Sequence, residues 1–542
     1  MQSYTLTVDK FLDHAAKWWG DREVVTAGAG RIGYAALRAR SNRLSGAFKK
    51  LGLRLGDRVG TLAWNTQHHL ETYYGAMGAG FICHTLNPRL TVGHLAAMVN
   101  EAENRVLAVG AGLGELATKL VLQCPSIEIV VLLDGAAGSV LSVGGRKTFA
   151  FESLLAELGE GLEWGAFGEE TPAGLCYTSG TTGVPKGVLY THRSNYLHTL
   201  RSLQADAVAL TPEDTVLVAV PMFHANGWSF PFAGPAVGAK LVLPGRSTDG
   251  AHLARLIREE GVTIAAGVPT VWQGLLDHLD AEGGDMSSLR RVLVGGSTCP
   301  EILIQRMEHR FQARVQTSWG MTELSPLGTI APATGEGRAI ASGRSPMGLD
   351  LKLTDEAGIA LPQQRNVTGH LKVKGHSVVS RYFKSNESLL DEEGYFDTGD
   401  LASIDDKSNL TIEGRTKDLI KSGGEWINPN EIETIVGRLP GVGLVAVIGC
   451  SDAKWGERPV LVVEPRKGHV LDEKALLAVL RGKVADWWIP DQVVWVSEMP
   501  LSATGKIDKI LLRAEHGKER EVPPDDLGEK THPSKGRTSG TR

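Results

Sequence analysis

Apolar residues recur at helical spacing over 5–19, TLTVDKFLDHAAKWW, with Thr7 placed to cap the first turn, and again over 34–51. Elsewhere the period shortens. Apolar, β-branched runs at 58–63, 105–109, 127–133, 216–220, 240–243, 263–267 and 291–294 read as strands, and helical stretches at 250–260 and 269–280 separate several of them. Strands alternating with helices predict α/β layers on largely parallel sheets. After about residue 340 the texture changes to short strands joined by turn residues, at 349–353, 368–373 and 410–413, which predicts a β subdomain over about 340–416. A further unit follows over 417–515, with a helix at 429–438, strands at 444–449 and 459–464, a helix at 472–485 and a strand at 492–496. That pattern predicts a small α+β domain behind a large N-terminal one covering 1–416. The tail 516–542 is polar, rich in Pro and Gly, and without apolar periodicity, so disorder is expected there.

A chain of 542 residues exceeds one ordinary core, in keeping with two or more domains. Lys+Arg of 57 against Asp+Glu of 62 gives a net charge of −5, which offers no electrostatic case for nucleic acid or an anionic membrane as the main partner. The five cysteines are scattered and form no C-x-x-C pair, so they are expected to be reduced thiols rather than a disulfide frame or zinc site. Asp9, Lys10, Asp13 and His14 interrupt any N-terminal apolar run, and no stretch approaches the ~20 apolar residues of a spanning helix. A soluble, cytoplasmic protein is expected. The 65 glycines exceed the ordinary ~7% share and point to backbone that approaches ligands closely.

One segment carries the clearest chemistry: Tyr177-Thr178-Ser179-Gly180-Thr181-Thr182-Gly183-Val184-Pro185-Lys186-Gly187. It follows the apolar run 173–177, so it reads as a strand entering a loop. Its glycines let backbone N–H groups turn toward a ligand, its hydroxyls add donors, and Lys186 adds a positive charge, together a cradle for polyphosphate. The spacing is not that of a Walker A loop, because Lys186 follows Pro185 and precedes Gly187.

This loop resembles the signature of the adenylate-forming superfamily, which holds acyl-CoA synthetases, peptide-synthetase adenylation domains and luciferases, and the resemblance continues in order to about residue 510. It implies a large domain of layered sheets and helices with a β subdomain, and a small mobile α+β domain behind it. Trp319-Gly320-Met321-Thr322-Glu323 is similar to the family's adenine-and-metal motif, with an aromatic for the purine and Glu323, joined by Thr178, for Mg²⁺. Gly295-Gly296-Ser297 resembles the wall beside adenine and acyl group, although Thr298-Cys299-Pro300 stand where the family often has Ala. In Tyr395-Phe396-Asp397-Thr398-Gly399-Asp400 the resemblance makes Asp400 the ribose ligand, and Arg415 a second ribose contact. Lys417 takes the place of the interdomain hinge, where a few residues absorb the backbone change. Gly423-Gly424 resembles the place where pantetheine passes, while Lys421 and Trp426 read equally as nucleotide contacts or as structural residues. Lys506, in Pro500-Leu501-Ser502-Ala503-Thr504-Gly505-Lys506, matches the C-terminal catalytic lysine. The resemblance puts His224 and Trp228, in Phe223-His224-Ala225-Asn226-Gly227-Trp228, on the acyl and pantetheine path, with a satisfied core histidine as the other reading of His224, and Trp228 resembles the gating Trp of long-chain fatty-acyl-CoA synthetases.

The activity so implied is an AMP-forming acid–thiol ligase with ATP and CoA as substrates and Mg²⁺ as cofactor. An acid is adenylated with Lys186, Thr178, Glu323 and Lys506 neutralising charge, then passed to CoA after the small domain turns at Lys417. A medium- or long-chain fatty acid is the favoured substrate. A 3-methylthiopropionate or cinnamate-type acid is the alternative, and a luciferase-like or non-ligase adenylate binder stands outside that class. A homodimer is a family-level expectation.

Overall fold

A computed structural model of the chain describes residues 1–134, 143–178, 185–334, 341–466, 468–502 and 505–517. The chain divides into two units, one of residues 1–417 with Leu501–Ile507, the other of Asp418–Pro500 with the chain from Asp508 onward.

Two sheets build most of the large unit. The first runs Lys147–Ala150, Ile129–Leu132, Val106–Val109, Arg58–Leu62, Ile82–Leu86, Pro172–Thr178 and Lys186–Thr191, all parallel except the last pair. The second runs Leu327–Ile330, Arg314–Gly320, Arg291–Val294, Ile264–Gly267, Thr215–Val218, Lys240–Leu243, Glu23–Thr26 and Gly30–Gly33, parallel except at its two outer pairs. Alternation along each strand decides which core a side chain joins. Val216 and Val218 face a central core with Val59, Ala108 and Val131 of the other sheet, and the helices Tyr34–Lys50 and Gln67–Met77 fill the space between. Leu217 and Ala219 point the other way, to an outer core with Leu253, Trp272 and Met307. Leu107 and Val130 likewise face an outer core with Leu95 and Leu120. Strands buried on both faces explain why those runs read as continuously apolar.

The β subdomain is a four-stranded antiparallel sheet of Leu349–Thr354, Thr368–Gly375, Phe396–Ile404 and Leu410–Arg415. The strand Phe396–Ile404 goes beyond the three expected strands. Its inward positions are Phe396, Thr398, Asp400, Ala402 and Ile404, and the two polar ones broke the apolar alternation that marks a strand. In the small unit, Glu425–Ile427, Ile420–Ser422, Gly456–Pro465 and Val442–Asp452 form an antiparallel sheet, with Gln492–Trp495 parallel to Gly456–Pro465.

Three local expectations need correction. Val8, not Thr7, precedes the first helix, Asp9–Trp18, without a side-chain cap; the Val8 N–H donates to His192 Nδ1 at 3.2 Å, which pins the chain at its entry. The helix expected over 472–485 is Glu473–Ala478, because the chain turns at Gly482 with φ of +70°. The helix Lys509–His516 runs to the expected start of the tail and the Gly517 N–H closes on Arg513 O, while the rest of the expected tail, 518–542, lies outside the described residues. Leu501–Ile507 groups with the large unit rather than with the rest of 417–515. All five cysteines are free, three of them buried, and among the described residues no helix is long and apolar enough to cross a membrane.

Candidate active site

The best-defined part of the site surrounds Asp400. Its strand turns the carboxylate inward, where it is 2% exposed. Trp319 Nε1 donates to Oδ2 at 2.9 Å and Arg415 Nε pairs with Oδ1 at 2.8 Å. Arg415 is itself steadied by the Thr398 carbonyl at 3.0 Å, and Thr398 Oγ1 accepts the Asp400 N–H at 3.1 Å. Burial pushes the Asp400 pKa up, and Arg415, the Trp319 hydrogen bond and Lys506 hold it back. A carboxylate has about four lone-pair directions. Two are taken here, which leaves acceptor capacity for a pair of hydroxyls. Trp319, expected to lie on a purine, is only 8% exposed and spends its N–H on Asp400. Its ring rests on bare backbone, since a Cβ at Gly328 would run into it. Gly320 is equally constrained, because a Cβ there would meet the Pro326 carbonyl. Met321 donates its N–H to that same carbonyl at 3.0 Å and starts the turn Thr322–Leu324.

That turn carries Glu323, which is buried. Tyr382 Oη donates to Glu323 Oε1 at 3.0 Å, and Lys186 Nζ stands 5.0 Å from the centroid of the Tyr382 ring. Burial first, then the Glu323 charge, push the Tyr382 hydroxyl far above its usual range, so it stays a donor. Lys186 opens the strand Lys186–Thr191 opposite Thr178, which ends Pro172–Thr178. The loop residues Ser179, Gly180, Thr181, Thr182 and Gly183 lie outside the described residues.

Lys506 joins these groups. It follows a tight turn in which Ser502 N–H donates to Lys506 O at 2.7 Å and Gly505 N–H to Ser502 O at 2.9 Å. A Cβ at Gly296 would lie 3.8 Å from Lys506 Cε and 3.8 Å from Trp228 Cζ2. The lysine pKa falls to about 8, by burial first and then by the Arg415 charge, against the pull of Asp400 and Glu323. His224 is carried down to about 4 by burial and by the Lys506 charge, so it is neutral at physiological pH. Ser297 is exposed on the loop after Arg291–Val294.

Among the described residues no group of three or more His, Cys, Asp or Glu could hold a metal ion. The single buried carboxylate of Glu323 suits instead a Mg²⁺ that keeps its waters and arrives with nucleotide phosphates.

The large unit thus gathers Thr178, Lys186, Gly296, Trp319, Glu323, Asp400, Arg415 and Lys506, with His224 and Trp228 on the other side. Lys421, Gly423, Gly424 and Trp426 belong to the small unit. Gly423 and Gly424, with φ of 59° and 88°, turn a two-residue hairpin, and Lys421 Nζ lies 5.3 Å from the ring of its cross-strand partner Trp426. Lys417 is the last residue before the division between the units. Sequence reasoning missed Tyr382, which no motif or period singles out, and the use of Trp319 to hold Asp400, an interaction across 81 positions.

Residues 12–383 match the family of AMP-binding enzymes and residues 431–506 match the AMP-binding enzyme C-terminal domain. The chain is 41% identical to a 3-methylmercaptopropionyl-CoA ligase of Ruegeria lacuscaerulensis, over 95% of this chain and 98% of that one. It is 39% identical to a medium-chain-fatty-acid–CoA ligase of Ectopseudomonas oleovorans, over 95% and 97%. Among solved structures, ATP-bound MatB from Rhodopseudomonas palustris superposes with a TM-score of 0.81 at 26% identity, covering 95% of this chain and 99% of that one. The chain belongs to the AMP-binding enzyme family, on its acyl-CoA synthetase branch.

Proposed function

We propose that this protein is an ATP-dependent, AMP-forming acyl-CoA ligase whose acid is aliphatic: a medium- or long-chain fatty acid, or a methylthio acid such as 3-methylthiopropionate. The observation that carries the reading is the convergence of Lys506, the Arg415–Asp400–Trp319 group and the Lys186–Tyr382–Glu323 row within one unit. The choice of acid is supported by relatives named for medium-chain, long-chain and 3-methylmercaptopropionyl substrates.

The obstacle in the first half-reaction is the approach of a carboxylate to a polyphosphate anion. Positioning and charge neutralisation lower that barrier. Asp400 accepts from the ribose hydroxyls on its free lone pairs while Arg415 and Trp319 hold it still. Lys186 and Lys506 place positive charge beside phosphate and carboxylate oxygens as pyrophosphate leaves. Glu323 and Thr178 would hold Mg²⁺, which when bound neutralises part of the phosphate charge. In the second half-reaction the CoA thiolate attacks the acyl carbon and AMP leaves, with Lys417 as the hinge between half-reactions and Gly423-Gly424 beside the pantetheine. The same reading carries a cytoplasmic location and a homodimer, both supported by family resemblance.

The test is CoA-dependent release of AMP and pyrophosphate from ATP across acetate, octanoate, palmitate, 3-methylthiopropionate and p-coumarate. Turnover peaking on an aliphatic acid is expected. Turnover confined to p-coumarate would overturn the choice of acid, and pyrophosphate exchange indifferent to CoA would overturn the acceptor.

A further inference from the structure

The segment Ala225–Ser229 has five consecutive positive φ angles: 43°, 54°, 58°, 54° and 67°. At Asn226, Gly227 and Trp228 the ψ angles are 33°, 35° and 34°, so the chain makes a left-handed helical turn. Only Gly227 enters that region freely; elsewhere the Cβ crowds the following carbonyl. Such a turn persists only where its surroundings over-determine it.

The surroundings here are side chains from other elements. The Ala225 N–H donates to Cys176 Sγ at 3.3 Å, and Asn226 Nδ2 donates to Asn195 Oδ1 at 3.2 Å. His198 takes the far end, with Nδ1 at 2.8 Å from Ser229 Oγ. Its other nitrogen, Nε2, accepts the Leu327 N–H at 2.9 Å. An accepting Nε2 leaves the ring proton on Nδ1, which therefore donates to Ser229. His198 is buried, and its pKa lies well below the usual histidine value, by burial first and then by the charge of Arg201. One neutral tautomer thus meets two demands at once.

Those two demands come from opposite sides of the site. Ser229 closes the turn that carries Trp228, whose indole meets the bare backbone of Gly295 and Gly296 next to Lys506. Leu327 opens the strand Leu327–Ile330 and pairs with Gly320 of the nucleotide motif. Among the described residues the hydrogen bonds of His198 go to Ser229 and Leu327 and not to Trp228 or the nucleotide groups, so it ties the element bearing one to the element bearing the other.

We propose that His198 is a positioning residue for acid selection: its Nδ1-protonated imidazole holds Ala225–Ser229 left-handed and so sets where Trp228 stands against Gly295–Gly296, limiting the acyl chain the site accepts. This rests on the ligase reading above for its substrate, but not for its geometry. A histidine that merely fills core would affect stability without touching acid preference.

The experiment follows steady-state kinetics on the acid panel together with ¹⁹F NMR of the full chain carrying 5-fluorotryptophan, the Trp228 resonance being assigned by its loss in Trp228→Phe. In His198→Ala, kcat/KM for the preferred acid is expected to fall roughly 10- to 100-fold through its KM, with the preference between octanoate and palmitate flattened and KM for ATP unchanged. The Trp228 resonance should shift or split. His198→Gln, whose amide both donates and accepts, should restore resonance and preference. Ser229→Ala removes the acceptor alone and gives a second route should His198→Ala fail to fold. An unmoved Trp228 resonance with an unmoved acid preference overturns the proposal. If the wild type turns over no acid, the ligase reading fails on its own, and the ¹⁹F spectra still decide whether His198 positions Trp228.

Discussion

The two sides of the site are built in opposite ways. On the side proposed for the nucleotide, the motifs support one another at Asp400: Thr398 and Asp400 share a strand, Arg415 ends the next strand, and the carboxylate is held by short bonds from Trp319 and Arg415. On the side proposed for the acyl group, Trp228 sits on a left-handed turn that its own sequence does not favour, and the turn is held by Asn195, His198 and Cys176. The first side should respond to substitutions at its motif residues, the second to substitutions at residues that touch no substrate.

The largest effect is expected where the two sides meet. Lys506→Met should slow adenylation ~10²–10³-fold, the range for losing one well-placed donor to a developing charge. Single-turnover formation of acyl-adenylate measures it. The wild-type rate should fall as pH rises through about 8, where Lys506 loses its proton, and Lys506→Arg should push that limb upward. His224, at about 4, adds no limb near neutrality. Stability should move the other way. The folded state binds the Lys506 proton more weakly than the unfolded chain, so its charge works against folding below about pH 8 and the penalty is relieved between about 8 and 10.5. Lys506→Met should therefore leave Tm at pH 7 level or raised while chemistry collapses. A fall in both together would make Lys506 a structural residue.

A smaller effect, confined to the nucleotide side, is expected of Asp400→Asn. The amide cannot accept from Arg415, Trp319 and a ribose pair with the same charge, so KM for ATP should rise ~5- to 150-fold, at about 1–3 kcal/mol for a disturbed buried charged network. KM for the acid should not change. If both constants rise together, the two sides are one mechanical unit and the contrast between them fails.

How much of each side was legible follows from the same difference. The apolar run before the glycine-rich loop placed Lys186 beyond a strand from local pattern, whereas Glu323, Asp400 and Lys506 were legible only through resemblance to the family's motifs. Tyr382 was not legible, because a tyrosine in an irregular stretch announces no partner, and its bond to Glu323 spans 59 positions. The strand Phe396–Ile404 was hidden by the very residues that matter, since inward Thr398 and Asp400 interrupt the apolar period. The left-handed turn was hidden more deeply. Ala, Asn, Trp and Ser give no signal for positive φ beyond Asn itself and the one Gly; of the side chains that enforce it, Asn195 and His198 lie on the helix His192–Ser202, 31 residues earlier, and Cys176 on the strand Pro172–Thr178, 49 residues earlier.

The smallest predicted effect isolates the acyl side from its own backbone. A Cβ at Gly295 would run into Ser318 Oγ and stand 3.1 Å from Trp228 Cη2. Ser318 Oγ can rotate, at the loss of its 3.1 Å bond to the Val294 carbonyl; the indole has less freedom, because the turn beneath it is held at Asn226 and Ser229. Gly295→Ala should therefore displace Trp228 slightly and raise KM for the preferred acid ~3–10-fold, a shift of about 0.7–1.4 kcal/mol, with KM for ATP unchanged. Adding Ser318→Ala removes one of the two obstacles. If acid KM then returns to the wild-type value, the serine was the obstacle and Trp228 does not limit the pocket; if it stays raised, the indole does. Placing the same Gly295→Ala change in the His198→Ala background sharpens the contrast further, because a turn already released should accommodate the extra methyl, and the two effects on acid KM should then fall short of additive.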